Sequence, residues 1–227
     1  DSDTPMESMI QRAIELGIQG ITFTEHLDPD YPATPDGLDF SLDISSYQKK
    51  LIEMQSLYKD KIHLRFGIEL GLQMHLGDYF NSLLSQTPFD FVIGSSHLVH
   101  GYDPYYPDFF EGRKEFLCYM EYFESILENI SVYDDFDVYG HIDYVVRYGP
   151  NKNRQYSYGR YKDILDEILK KLISMEKGIE LNTGGYHYGL GEPNPCVAVI
   201  KRYKELGGEI ITIGADAHTP DKVAYAF

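Results

Sequence analysis

The sequence predicts an α/β protein built on a parallel sheet, on three observations. Short β-rich runs alternate with longer stretches whose apolar residues recur at three- and four-residue spacing. The longer stretches carry helix start and stop signals. Each β-rich run is followed by a polar or metal-capable residue, which fits parallel strands that deliver chemistry beyond their carboxyl ends. Such a sheet is either doubly wound or closed as a barrel.

Taken in order, Thr4-Pro5-Met6-Glu7 supplies an N-cap, a proline at the first helical position and a capping-box glutamate. Ile10, Ala13 and Ile14 form the apolar face of that helix, and Gly17 ends it. Strands are predicted over 18–24 (IQGITFT), 62–68 (IHLRFGI), 89–94 (FDFVIG), 136–140 (FDVYG), 179–183 (IELNT) and 209–214 (EIITIG). Helices are predicted over 45–58, 115–130 and 160–176, and from Asn194-Pro195 to Gly207-Gly208; Thr219-Pro220 opens a last one. The segments 102–114 and 148–159, rich in Tyr, Pro, Gly and Asn, read as loops over the functional face. No internal repeat or domain boundary interrupts residues 1–227, which read as one domain. The chain begins on Asp1 rather than Met and stops at Phe227 just after a helix start, so it is expected to be a piece of a longer protein, truncated at both ends.

Composition narrows the function. The 227 residues carry 36 Asp+Glu against 20 Lys+Arg, a formal net charge of -16, which argues against a partner gripped by its phosphate backbone and so against nucleic acid. A small phosphorylated substrate is still allowed, because bound cations overrule the global sign locally. The two cysteines, Cys118 and Cys196, make no disulfide framework and no cysteine metal site, as a cytoplasmic protein would have it. No stretch has the length and apolarity of a membrane span or the pattern of a signal peptide, so no membrane role is expected. Oligomeric state leaves no mark.

Four of the eight histidines fall at strand ends: His26, His97, His141 and His218, joined there by Glu69 and Asp216. Alone, each reads as a structural histidine; together they read as a metal site, because mixed imidazole and carboxylate donors suit Zn, Fe or Mn. If the backbone after the last strand stays extended, Asp216 and His218 point to one side. A cluster of two or more metals makes a nucleophile from water near neutral pH and clamps phosphate oxygens, so phosphoester hydrolysis is the natural reaction. His63, at the amino end of its strand, reads as structural, and His75 and His100 as surface residues. His187, in the segment Gly184-Gly185-Tyr186-His187-Tyr188-Gly189, is close enough to the face for substrate contact.

The succession TEH (24–26), GIELG (67–71), GSSH (94–97), GHID (140–143), ELNTGG (180–185) and GADAH (214–218) resembles the polymerase and histidinol phosphatase (PHP) superfamily, and within it the histidinol-phosphate phosphatases. The resemblance spans almost the whole chain. It implies a distorted (βα)7 TIM-like barrel whose first strand, bearing a His-x-His pair, is missing from this sequence. It also implies up to three divalent transition-metal ions, Zn, Fe or Mn. Carried over by motif, Glu69 bridges two metals, Asp216 serves the metal that the missing pair would hold, His97 and His141 hold the second, and Asp1, His26 and His218 the third. The implied reaction is hydrolysis of L-histidinol phosphate by a metal-bridging hydroxide; the alternatives are another small phosphomonoester or a non-catalytic metal-binding module. Arg147, six residues after His141, is the expected phosphate-binding cation, its alternative being a surface ion pair. Asp28 is expected to meet the substrate ammonium or to be a turn residue, and Asn182 to orient substrate or close its strand. Related phosphatases often carry Arg where this chain has His187, which leaves the exact substrate open.

Overall fold

The protein is described from a computed structural model covering residues 2–34, 37 and 40–227; Asp1, an expected ligand, lies outside the described residues. The elements run α1 Met6–Glu15, β1 Gly20–Leu27, α2 Ile44–Tyr58, β2 His63–Gly71, α3 Gly77–Gln86, β3 Phe91–Ser95, α4 Glu115–Val132, β4 Val138–Tyr139, α5 Lys162–Ser174, β5 Gly178–Asn182, α6 Gly184–His187, α7 Val197–Glu205 and β6 Ile211–Gly214.

The strands form one six-stranded sheet in the order β1-β2-β3-β4-β5-β6, and every pair in it is parallel. β1 and β2 continue past the ends predicted at Thr24 and Ile68, because their ladder pairs Glu25 with Ile68, His26 with Glu69 and Leu27 with Leu70. His26 and Glu69 are therefore side-by-side strand residues on one face. At β4 only Val138 and Tyr139 keep the ladder, and His141 follows one residue further on, after Gly140.

Local chemistry accounts for the other departures from prediction. Thr4 does not cap α1; its hydroxyl donates to the His218 carbonyl at 2.8 Å, as the Ser2 hydroxyl does at 2.6 Å. Asp43 caps α2 by accepting from the Ser46 N–H at 3.0 Å, which moves that helix start one residue earlier. α3 has no counterpart in the predicted set; its ten residues bury Phe80 alone, too thin an apolar face to show as periodicity. The glycine-rich segment 184–189 begins with the single turn of α6, and after Thr219 the chain makes only a short 3-10 turn, Pro220–Lys222.

Two apolar clusters hold the sheet. The larger packs Leu70, Phe80, Tyr119, Tyr122, Phe123, Tyr139 and Leu169 between α3, α4, α5 and the central strands, and the smaller packs Ile10, Tyr47, Leu51, Met54 and Phe66 under α1 and α2. The sheet curls into a half-barrel: His26 on β1 and His218 beyond β6 come within 5.7 Å, ring to ring, although no ladder joins β1 to β6 among the described residues. A cavity of about 630 Å³ lies in the intervening space, lined by residues of both edge strands.

The Tyr47 hydroxyl lies 2.9 Å from both the Phe23 and Gly67 carbonyls and so ties α2 to the β1–β2 pair. Tyr47→Phe removes both contacts, one of them buried, and is expected to lower the unfolding free energy by about 1 kcal/mol, read as a reduced urea midpoint at unchanged slope.

Candidate metal centre

The centre is built around Glu69. This carboxylate is buried, and three imidazoles from three other elements meet it: His97 Nε2 at 3.1 Å and His141 Nε2 at 3.0 Å on Oε1, and His26 Nε2 at 3.4 Å on Oε2. Burial alone would raise its pKa, yet His26, His141 and His97 together hold it well below the ordinary carboxylate range. His97 is pushed the other way: burial opposes its charge, but Asp28 and Glu69 raise it well above the usual histidine value. For His141 burial wins and lowers the pKa, which keeps the ring in the neutral form that ligates metals.

A second group adjoins the first. His26, Asp216 and His218 place ligand atoms within 4.8 Å of one another, as do Glu69, His97 and His141, with His26, Asp28 and His97 linking the two. The backbone between Asp216 and His218 is not extended as predicted. Asp216 sits at φ +53°, a conformation that Asp tolerates better than most residues, and the resulting turn brings His218 Nδ1 to 3.0 Å from the Asp216 carbonyl. Tertiary folding thus brings this pair to His26 by a kink rather than by strand alternation.

Arg147 is 2 % exposed, which removes the surface ion-pair alternative. Its Nε–H donates to Asn194 Oδ1 at 2.8 Å, Nη1 to Asp216 Oδ2 at 2.7 Å and Nη2 to Asn182 Oδ1 at 3.0 Å, and the guanidinium lies over the Tyr188 ring at 4.7 Å. Burial would raise the Asp216 pKa; Arg147 outweighs it and holds this carboxylate well below its usual range. Behind the cluster, Glu180 is pushed up to about 7 by burial and by the charges of Glu69 and Asp216.

The donor set suits a divalent transition metal. Imidazole nitrogens and carboxylate oxygens converge in a buried group and an adjoining half-buried one, and His141 Nδ1 is buried without a hydrogen-bond partner, a ring nitrogen left over for a ligand. Asp28, expected to meet a substrate ammonium or to be a turn residue, opens the turn to Tyr31 with its carbonyl and directs its carboxylate at His97. It is buried, both its oxygens lie 3.0–3.1 Å from His97 Nδ1, and a Cβ on Gly71 would sit 1.7 Å from its Oδ1, so the glycine leaves room for it. Carboxylate on Nδ1 with Nε2 aimed at the cluster is the arrangement that fixes a ligating histidine. Asn182 likewise spends its amide inside the protein, accepting from Arg147 and Gly184 and donating to Glu180. His187 is exposed and its ring meets Tyr188 and Tyr225, outside the ligand groups. His63 is exposed, His75 pairs with Asp30, and His100 lies between Glu121 and Glu128. Sequence reasoning missed Asn194, seen only as a helix opener, and Glu180, seen only as a strand residue; no local pattern marks either, since their partners come from distant segments.

Six parallel strands with an imidazole–carboxylate cluster at their carboxyl ends define a metal-site α/β protein. Residues 1–184 match the family model described as PHP domain. A protein of Lactococcus lactis subsp. lactis named histidinol-phosphatase is 33 % identical over 96 % of this chain and 80 % of its own length. One of Clostridium acetobutylicum named "Probable histidinol-phosphatase" is 32 % identical over 99 % of this chain and 86 % of its own. The crystal structure of histidinol phosphate phosphatase from Lactococcus lactis, complexed with Zn, L-histidinol and phosphate, superposes with a TM-score of 0.90 at 31 % identity, covering 100 % of this chain and 86 % of that one. The chain belongs to the PHP domain family and, within it, to the histidinol-phosphatases.

Asp28→Asn removes the charge behind His97 while keeping its shape. Metal affinity is expected to fall about 10- to 100-fold, measured by competition against a chelator with elemental analysis of the retained metal.

Proposed function

We propose that this protein is a metal-dependent phosphomonoesterase that hydrolyses L-histidinol phosphate to L-histidinol and phosphate. The observation that carries the reading is the buried Glu69 carboxylate ringed by His26, His97 and His141, in a chain alike throughout to a phosphatase described with Zn, L-histidinol and phosphate bound.

His97 and His141 would hold one divalent ion, Glu69 would be shared between ions, and His26 and His218, with Asp1, would hold another; Asp216 would serve a third. When bound, Zn, Fe or Mn would supply Lewis-acid charge to the phosphate oxygens and a water-derived nucleophile at neutral pH. Arg147 binds the phosphate beside them. A guanidinium has five N–H groups, of which Asn194, Asp216 and Asn182 take one each, so each terminal nitrogen keeps a donor for a phosphate oxygen. Its planar fork is held rigid against Tyr188, so little order is lost on binding. The exposed His187 lies on the same segment as Tyr188 and is the residue we assign to the outer part of the substrate.

The fold reading that accompanies this function is a distorted (βα)7 barrel. The cavity between β1 and β6 and the exposed Ile211 and Ile213 on β6 support a seventh parallel strand there. The acidic surplus favours a small phosphorylated substrate over nucleic acid, and two unpaired, buried cysteines suit a reducing compartment such as the cytoplasm.

The decisive assay is phosphate release from a panel of small phosphomonoesters by metal-loaded, full-length protein; turnover of another ester with none of histidinol phosphate would overturn the substrate assignment. Glu69→Gln is expected to lower metal content and turnover together, by about 100-fold or more. Arg147→Ala is expected to retain the metals and lose about 10- to 100-fold in kcat/KM, the scale of hydrogen bonds to a charged group. Normal metal content and activity in Glu69→Gln would sink the cluster assignment.

A further inference from the structure

The geometry points to Asn194 as a positioning residue that aims the Arg147 guanidinium at the phosphate, with Asp143 behind it fixing which end of the amide faces the arginine. This rests on the reading of Arg147 as the phosphate cation.

Asn194 has no exposed surface, and its two amide ends have different partners. Oδ1 accepts the Arg147 Nε–H at 2.8 Å, while Nδ2 donates to Asp143 Oδ1 at 2.6 Å. Asp143 is itself pinned, because its Oδ2 accepts the Cys196 N–H at 2.8 Å. A carboxylate only accepts, so it forces the NH2 end of the amide toward itself and leaves the carbonyl end for the arginine. The opposite orientation would put NH2 against a guanidinium that has no acceptor.

Asn182 repeats the arrangement on the other side of the fork. Its Nδ2 donates to Glu180 Oε2 at 3.1 Å and its Oδ1 accepts from Arg147 Nη2 at 3.0 Å. The two asparagines are themselves tied backbone to backbone, Asn182 N–H to the Asn194 carbonyl at 2.7 Å and Asn194 N–H to the Asn182 carbonyl at 2.8 Å. Two neutral carbonyls thus grip the cation from two sides and add no charge to that of Asp216, the one anion among these partners in direct contact with it. Further direct carboxylates would overcompensate the charge that phosphate needs; here Asp143 and Glu180 each stand one amide away. Asp216, the anion in direct contact, is at the same time one of the ligand-group residues.

The test uses metal-loaded, full-length protein, with inorganic phosphate as the calorimetric probe and histidinol phosphate turnover as the second readout. Asn194→Ala is expected to weaken phosphate binding about 5- to 20-fold and to raise KM more than it lowers kcat, with metal content unchanged. Combined with Arg147→Ala it should add little further loss, since both changes remove one aimed donor set. Fully additive losses, the mark of a merely structural role, would overturn the proposal. Because Asn194→Ala can fail to fold, the residue behind it carries the same question. Asp143→Asn keeps the shape but leaves an amide that can turn either end toward Asn194, so the aim of the guanidinium is loosened and phosphate binding is expected to weaken about 3- to 10-fold with metal content unchanged. Phosphate binding in Asp143→Asn equal to that of the parent would overturn the proposal. Arg147→Ala separates this from the underlying reading: unchanged phosphate binding in that variant overturns both, and weakened binding there with a normal Asn194→Ala overturns only the aiming role.

Discussion

Glu69 is the constraint on which the rest of this structure depends. An ionised carboxylate taken out of water is costly unless it is surrounded by groups that favour its charge. Here those groups are imidazoles delivered by β1 and by the turns after β3 and β4, so these elements must end at one level around β2. Parallel registry achieves this: Glu69 stands beside His26 on one neighbour and beside Ile93 on the other, four residues before His97. A slip of one residue in either ladder would turn Glu69 to the opposite face and leave the imidazoles around an empty centre.

Charge then alternates outward in layers. Asp28 stands behind His97, Arg147 beside Asp216, neutral amides beside Arg147, and Asp143 and Glu180 behind the amides. Each of these groups is satisfied by a neighbour of opposite sign or by a dipole, so a strongly polar interior is tolerated at the open end of an otherwise apolar half-barrel. Part of the net charge of -16 is accordingly local to the centre, where bound cations would offset Glu69 and Asp216. The global sign describes the surface and says little about what the centre attracts.

The edges of the sheet are the other consequence of curling. β1 and β6 converge at their carboxyl ends, where His26, Asp216 and His218 meet, while a cavity separates them along their length. The start of the chain takes part in that convergence, since Ser2 and Thr4 both donate to the His218 carbonyl. The loop bearing His218 is therefore held from the amino-terminal side as well as by its own strand.

The sequence by itself determined the architecture and most of the centre. Strand–helix alternation, the glycine and proline punctuation and the polar residues closing each β run made the parallel sheet and the His26, Glu69, His97, His141, Asp216 and His218 set readable, because periodicity and strand-end position are local properties. Tertiary structure alone decided which partner each of these groups meets. Asp28 is read locally as a turn residue or a substrate contact; its carbonyl does open the turn to Tyr31, and its carboxylate is the anion on His97, 69 positions away. Asn194 is read as a helix opener and instead faces Arg147, 47 positions away, and the kink at Asp216 replaces the alternation that an extended strand end would give. Hydrogen bonds and ion pairs between distant segments leave no periodic trace in a chain, so the ligand types were legible from sequence and the second ring of contacts that orients them was not.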